Sequence, residues 1–265
     1  MNINNLAAPT LSLKKNVEES DSMLKKLATA KRINSAADDA AGLQLANRLT
    51  QQANGATQGI RNVYDGMSLA NVADQALAGV TDNLNELNRL TVQAGNGMLT
   101  ADDRKALQDQ VSQLTTGIQQ QLSDSNFAGI KLFDQSQSLA FDTGNGVVSV
   151  QSADLTTELT NSGVLDIDVT DPTSLQTAQD SLKSFAEQIN AGRAEFGASI
   201  NRFDAAARGL MNMNENTQAA RSRIEDLDYA QAVSEQVASQ IREKSSIAVL
   251  SQGRVSAEQA ANLLN

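Results

Sequence analysis

The residues whose types could do chemistry are few. Asp38 and Asp39 are adjacent carboxylates, and Lys14, Lys15, Lys25, Lys26, Lys31 and Arg32 form a cationic run. Paired carboxylates hold a divalent cation, or share a proton, when both enter one pocket. Neighbours on a helix instead project about 100° apart, so Asp38 and Asp39 suit a helix start better than a metal site or a dyad. The chain has no His and no Cys. That excludes imidazole acid–base catalysis, the Ser-His-Asp triad, H-E-x-x-H zinc sites, thiolate chemistry and disulfides together. The remaining Asp, Glu and Ser form no constellation beyond chance spacing, so neither an enzyme nor a cofactor is expected.

Charge placement excludes two further classes. Residues 1–34 carry six basic and three acidic side chains, residues 35–227 twelve and twenty-four, and residues 228–265 three and four. An acidic body with 3% aromatic residues offers neither the basic surface nor the stacking platform that nucleic acid requires. The basic run lacks Trp or Phe on an opposite face, so a membrane-surface helix is not expected either. No apolar stretch is long enough to span a bilayer. No h-region or small-residue cleavage signature accompanies Lys14 and Lys15, so a cleaved secretory signal is not expected.

The elements that would position these residues are helices in search of partners. Near the start, Leu13, Val17, Ser20, Leu24 and Leu27 are spaced 4, 3, 4, 3; near the end, Leu227, Ala230, Ser234, Val237 and Ile241 are spaced 3, 4, 3, 4. Heptad seams of this kind require a second helix, which points to pairing of the chain ends and to assembly. The interior repeats the rhythm. Ile60, Val63, Met67, Ala70, Leu77, Val80, Leu84 and Leu87 make one face, broken at Gly95-Asn96-Gly97, and Leu107, Val111, Leu114, Ile118 and Leu122 make the next, which predicts a helical hairpin. After Asp171-Pro172, a third face from Leu175 to Leu210 predicts a helix over about 173–224, roughly 75 Å long.

Between the hairpin and that helix the period falls to two. Leu139–Thr143 and Val147–Val150 flank Gly144-Asn145-Gly146, a β-hairpin pattern, and a further short strand is expected at Val164–Val169. The fold class is therefore mainly α: a long antiparallel helical rod or coiled coil, with a small β-hairpin element and paired N- and C-terminal helices. Gly55, Gly59, Gly66, Gly79, Gly117, Gly192, Gly197 and Gly209 interrupt the helical patterns, each costing about 1 kcal/mol relative to Ala. Close backbone approach and a merely Ala/Gly-rich core both account for them.

Three motifs carry a family resemblance. Arg32-Ile-Asn-Ser-Ala-Ala-Asp-Asp-Ala-Ala-Gly42 with Leu45-Ala-Asn47-Arg48, then Asn126-Phe-Ala-Gly-Ile-Lys-Leu-Phe133, then Ala220-Arg-Ser-Arg223-Ile-Glu-Asp-Leu-Asp-Tyr229-Ala230, in that order, resemble the signatures of bacterial flagellins. The resemblance spans nearly the whole chain and implies a structural subunit that polymerises into the flagellar filament, in a short form without variable outer domains. It implies an inner-tube coiled-coil domain, 1–33 with 228–265, and an outer-tube core, 34–227, with the β-hairpin region at 136–170. Leu6, Leu13, Val17, Leu24, Leu27, Leu227, Val237, Ile241, Leu263 and Leu264 would form the assembly interface. Arg32, Asn34, Asp38, Asp39, Arg221, Arg223, Glu225 and Asp226 would form a polar junction between subunits.

The implied partners are further copies of the chain, an export chaperone and the type III export apparatus, and the filament cap and hook-junction proteins. The implied location is the extracellular flagellum. Glu86, Leu87, Arg89, Leu90 and Gln110 fall in the segment that resembles the target of a vertebrate innate immune receptor. Glu86 stands where activating members carry arginine and Gln110 where they carry an acid, so only weak engagement is expected. Where many flagellins have Ser-Ser-Gly-Leu before the Arg-Ile-Asn run, this chain has Ala28-Thr29-Ala30-Lys31. Two rivals remain: a hook-filament junction protein, which shares the helical ends, and a coiled-coil scaffold, which leaves the ordered motifs unexplained.

Overall fold

The computed structural model describes residues 7–144 and 146–262. Among them are helices α1 (Ala7–Thr29), α2 (Ala40–Ala94), α3 (Ala101–Asp124), α4 (Leu155–Asn161), α5 (Leu175–Glu225) and α6 (Tyr229–Asn262). Strands β1 (Asn126–Phe127) and β2 (Ile130–Lys131) pair antiparallel, as do β3 (Gln137–Asp142) and β4 (Val147–Ser152). The chain forms two compact units, Met1–Ala53 with Glu215–Asn265, and Asn54–Asn214. Residues 34–53 and 215–227 thus cluster with the chain ends.

The Asn54–Asn214 unit follows its periodicities. Leu77, Val80, Leu84 and Leu87 of α2, Leu107, Val111, Ile118 and Leu122 of α3, and Leu182, Phe185, Ile189, Phe196 and Phe203 of α5 are all buried in one core. Large aliphatic and aromatic side chains on one stripe leave each helix a single favourable phase, because each contributes about 1.5–3 kcal/mol on burial. Helix α3 opens with a capping box: Thr100 accepts from Asp103 N at 3.2 Å, and Asp103 accepts from Thr100 N at 3.0 Å. The Thr100 hydroxyl and amide hold the Asp103 carboxyl below its usual range. In the β-hairpin, Leu139 faces Val150 and Phe141 faces Val148 across the ladder. Its tip closes with Gly144 at φ +72°, a conformation that glycine adopts without strain.

The expected strand at Val164–Val169 is not one. Val164, Ile167 and Val169 are buried, yet the backbone is irregular. The Gln108 carboxamide of α3 takes the place of a neighbouring strand, donating to Ile167 O at 2.9 Å and accepting from Val169 N at 2.8 Å. Alternating apolar residues say that a segment is half buried; they do not say what satisfies its backbone. Gln108→Leu leaves both backbone groups unpaired and is expected to cost about 1–3 kcal/mol, seen as a lower urea midpoint with an unchanged slope. An unaltered midpoint would remove this role from Gln108.

The glycines resolve into two kinds. A Cβ at Gly59 would lie 2.2 Å from Thr143 O, and one at Gly66 would lie 2.4 Å from Phe203 Cζ, so at these positions α2 is approached too closely for any side chain. Gly55, Gly117, Gly197 and Gly209 face open space.

Candidate assembly interface

The other unit brings the two chain ends together. Helix α1 stops because Ala30 turns into the left-handed region at φ +54°, reversing the chain. Residues 30–32 then lie antiparallel to 225–227: Arg32 N donates to Glu225 O at 2.7 Å, Leu227 N donates to Ala30 O at 3.1 Å, and Lys31 pairs with Asp226 as an isolated bridge. Side chains reinforce the clasp. The Arg32 guanidinium donates to Ile224 O at 2.6 Å, and the Lys31 ammonium sits on the largely buried Glu225 carboxylate. Arg221 approaches the other oxygen of Glu225 at 4.0 Å. Ile33 is buried, its Cδ1 close to Gly42.

Asp38 and Asp39 do separate jobs. Asp38 accepts from Asn34 N at 3.1 Å, and from the amide and hydroxyl of Ser35 at 2.9 and 3.0 Å. These bonds, the Asn34 amide foremost, hold its carboxyl below the usual range. Their contribution is complete above that range and is lost as the pH falls through the lowered pKa. Asp39 accepts from Gly42 N at 2.8 Å, three residues on, as a cap at the start of α2. Asn34 accepts from the Thr29 hydroxyl at 2.8 Å. Within this polar group Arg223 is exposed and makes no ion pair among the described residues.

Ala30 occupies the position of the glycine in Ser-Ser-Gly-Leu, and Lys31 that of the leucine. A β-carbon in the left-handed region costs about 1 kcal/mol or more. Ala30→Gly is therefore expected to stabilise this turn by about that amount, read as slower hydrogen–deuterium exchange at the end of α1. Faster exchange would mean that the gain in unfolded-chain entropy outweighs the relief of strain.

The α1–α6 seam differs in phase from the expected one. On α1 it consists of Leu13, Asn16, Ser20, Met23 and Leu27; on α6, of Ala232, Gln236, Ser239, Glu243, Ser246 and Leu250. Gln236 donates to Ser20 Oγ at 3.0 Å in its buried centre, and Asn16 donates to Ser246 Oγ at 3.4 Å. The heptad Ala230, Ser234, Val237, Ile241 faces outward instead, as do Val17 and Leu24. Val17 is 39% exposed, Leu24 50%, Val237 49% and Ile241 60%. Small and polar residues lie on several faces of α6, so apolar spacing alone could not pick the face turned to α1.

Leu227 is half-buried; Leu6, Leu263 and Leu264 lie outside the described residues. Four apolar residues that the heptad reading missed, Val233, Ile247, Val249 and Val255, are also exposed on α6. The spacing Val233-Val237-Ile241 was the available signal. At about 100° per residue, Val233, Val237, Ile241 and Val255 form one stripe centred roughly 140° around α6 from the seam, and Ile247 lies between that stripe and the seam.

In the Asn54–Asn214 unit, Leu87 and Leu90 are sealed in the core, and of the five residues of that segment only Glu86, Arg89 and Gln110 reach the surface. Glu86 and Arg89 are paired, with Nη2–Oε1 at 2.5 Å, and Arg89 also donates to Gln93 at 3.0 Å. The Arg89 hydrogen bond holds the Glu86 carboxyl below its usual range. No helix among the described residues is long and apolar enough to cross a membrane.

This fold defines a mainly α structural subunit whose two chain ends are clasped and paired. Residues 1–138 match the model for the bacterial flagellin N-terminal helical region, and residues 179–264 that for the C-terminal helical region. A flagellin of Halalkalibacterium halodurans is 32% identical over 253 residues, covering 94% of this chain and 93% of that one. The flagellar filament 30.7 kDa core protein of Treponema maltophilum is 30% identical, with 91% of each chain covered. The crystal structure of Bacillus cereus flagellin superposes with a TM-score of 0.52 at 25% identity, covering 57% of this chain and 88% of that one. The chain belongs to the bacterial flagellin family and is a structural subunit of the flagellar filament.

Proposed function

We propose that the subunit polymerises through its chain ends, with the bare apolar stripe of α6 as the principal contact between copies. That stripe is the observation that carries the reading. Aliphatic side chains at Val233, Val237, Ile241 and Val255 face away from a seam made of Ser20, Gln236 and Ser239, and Ile247 is exposed at its flank. Covering each half-exposed residue contributes about 1 kcal/mol, which the intramolecular seam forgoes and a neighbouring copy recovers. Val17 and Leu24 extend the apolar surface on α1.

In this reading residues 1–33 and 228–265 form an inner tube and residues 34–227 an outer one, with Arg32, Asn34, Asp38, Asp39, Arg221, Arg223, Glu225 and Asp226 setting the register at the passage between them. The short span between the β-hairpin and α5 supports a thin filament without outer domains. Export as an unfolded chain through the type III apparatus, a chaperone that covers the C-terminal stripe before release, and cap and hook-junction proteins at the filament's ends complete the proposal. The filament lies outside the cell.

Engagement of the innate immune receptor is weak, because Arg89 is already held by Glu86 and Gln93 and would have to give up both. A reporter-cell response equal to that of a strong agonist flagellin would overturn that reading.

The test of the main proposal is negative-stain electron microscopy of purified chain incubated with sheared flagellar seeds in ammonium sulfate, which strengthens apolar burial. Long filaments growing from the seeds, lost on deletion of residues 235–265, are expected. Growth that survives the deletion sinks the role of α6; a chain that only decorates hook tips would be a junction protein.

A further inference from the structure

Three Asn-Gly pairs occur in the chain: Asn54-Gly55, Asn96-Gly97 and Asn145-Gly146. Asn145 lies outside the described residues, which leaves two whose settings can be compared. Asn54 and Gly55 are exposed, as are Asn96 and Gly97, so both pairs are open to water. Their backbones differ. Gly55 is inside α2, where its N–H belongs to the helical ladder and the helix directs the preceding side chain away from it. Gly97 is in the turn between α2 and α3, and its N–H has no hydrogen-bond acceptor among the described residues.

We infer that Asn96 is a built-in site of spontaneous deamidation, and that the same dipeptide at Asn54 is protected. The Asn96 carboxamide is poised for attack by the next backbone nitrogen. Its Oδ1 accepts from Met98 N at 3.0 Å, which folds the side chain back over the following residues and puts a donor on the oxygen where negative charge develops.

In the reaction, Gly97 N bonds to Asn96 Cγ, the Cγ–Nδ2 bond breaks, and the proton lost from the amide leaves with ammonia. Water then opens the cyclic imide at either carbonyl, leaving an aspartyl or an isoaspartyl linkage and one new carboxylate. The product changes the turn. Arg104 holds it by donating to Ala94 O and, at 3.2 Å, to Asn96 O; in the isoaspartyl form the Asn96 carbonyl leaves the main chain as the new carboxylate, and an extra backbone carbon lengthens the path from Ala94 to the start of α3. Asn is a thermolabile residue in general; here the local backbone separates Asn96 from Asn54.

The experiment ages the full chain in mildly alkaline buffer, folded and in denaturant, and follows the tryptic peptides Leu49–Arg61 and Leu90–Arg104 by mass spectrometry, with isoaspartyl methyltransferase labelling as a second readout. In the folded protein, the Leu90–Arg104 peptide is expected to gain the mass difference between OH and NH2 about tenfold faster, or more, than the Leu49–Arg61 peptide, and the two rates should converge in denaturant. Asn96→Gln should abolish the change, and Gly97→Ala should slow it. Equal rates in the folded chain, or an Asn96 rate that rises about tenfold on unfolding, would overturn the assignment.

Discussion

Ile241→Asp is expected to abolish filament growth while leaving the thermal unfolding of the soluble subunit essentially unchanged. The side chain is 60% exposed in the single chain, so the substitution removes little packing there and costs at most about 0.7 kcal/mol of helix propensity. In the polymer the same position loses about 1 kcal/mol of apolar burial and must also desolvate a carboxylate that has no partner, a cost of several kcal/mol. A total above about 3 kcal/mol per contact raises the critical concentration by more than about a hundredfold, beyond what seeded growth tolerates. Leu24→Asp should behave alike on α1. Sedimentation of seeded mixtures over a concentration series, with circular dichroism melts of the unpolymerised chain, separates assembly from folding. A Leu24→Asp/Ile241→Asp protein that polymerised at the parental critical concentration would remove these stripes from the interface.

Phe203→Ala should destabilise the Asn54–Asn214 unit by about 3–5 kcal/mol, and on that background Gly66→Ala should change from harmful to helpful. Phe203 is fully buried, and its ring fills the notch left by Gly66 while meeting Phe141 edge-on, centroids 5.4 Å apart at 86°. With the ring present, a Cβ at position 66 stands 2.4 Å from Cζ, and overpacking of that kind costs about 1–3 kcal/mol. With the ring gone, the methyl enters vacated space and the helix recovers about 1 kcal/mol of propensity. A denaturant double-mutant cycle reads this reversal as coupling of about 2 kcal/mol or more between the two positions. If Gly66→Ala stabilised the parental protein, the glycine would be an accident of composition and not a seat for Phe203.

The helical hairpin, the β-hairpin and the long α5 were legible in the sequence because their signals are local. Leucine, valine and phenylalanine recur on one stripe, turn residues interrupt them, and α5 runs from Leu175 to Glu225 against an expected 173–224. The ordered Arg-Ile-Asn, Asn-Phe-Ala-Gly and Ser-Arg-Ile-Glu-Asp motifs made the family legible in the same way. Polar contacts between distant segments were not. Lys31 with Glu225, Arg32 with Ile224 O, and Gln108 with Ile167 and Val169 join residues whose partners no periodicity names. The missing strand at Val164–Val169 follows from this: its burial was readable, but the side chain that satisfies its backbone was not.

By itself, then, the sequence determined that this is a mainly α flagellin with two helical ends in need of partners, because apolar periodicity and motif order are properties of neighbouring residues. Only the tertiary structure decided which face of each end is spent within the chain. Ser20, Gln236 and Ser239 turn inward, and Val237 and Ile241 stay bare. The more apolar face of α6 is left out of the pairing within the chain, so apolar burial alone does not make the choice; the clasp at residues 30–32 and 225–227 and the hydrogen bonds across the seam set it.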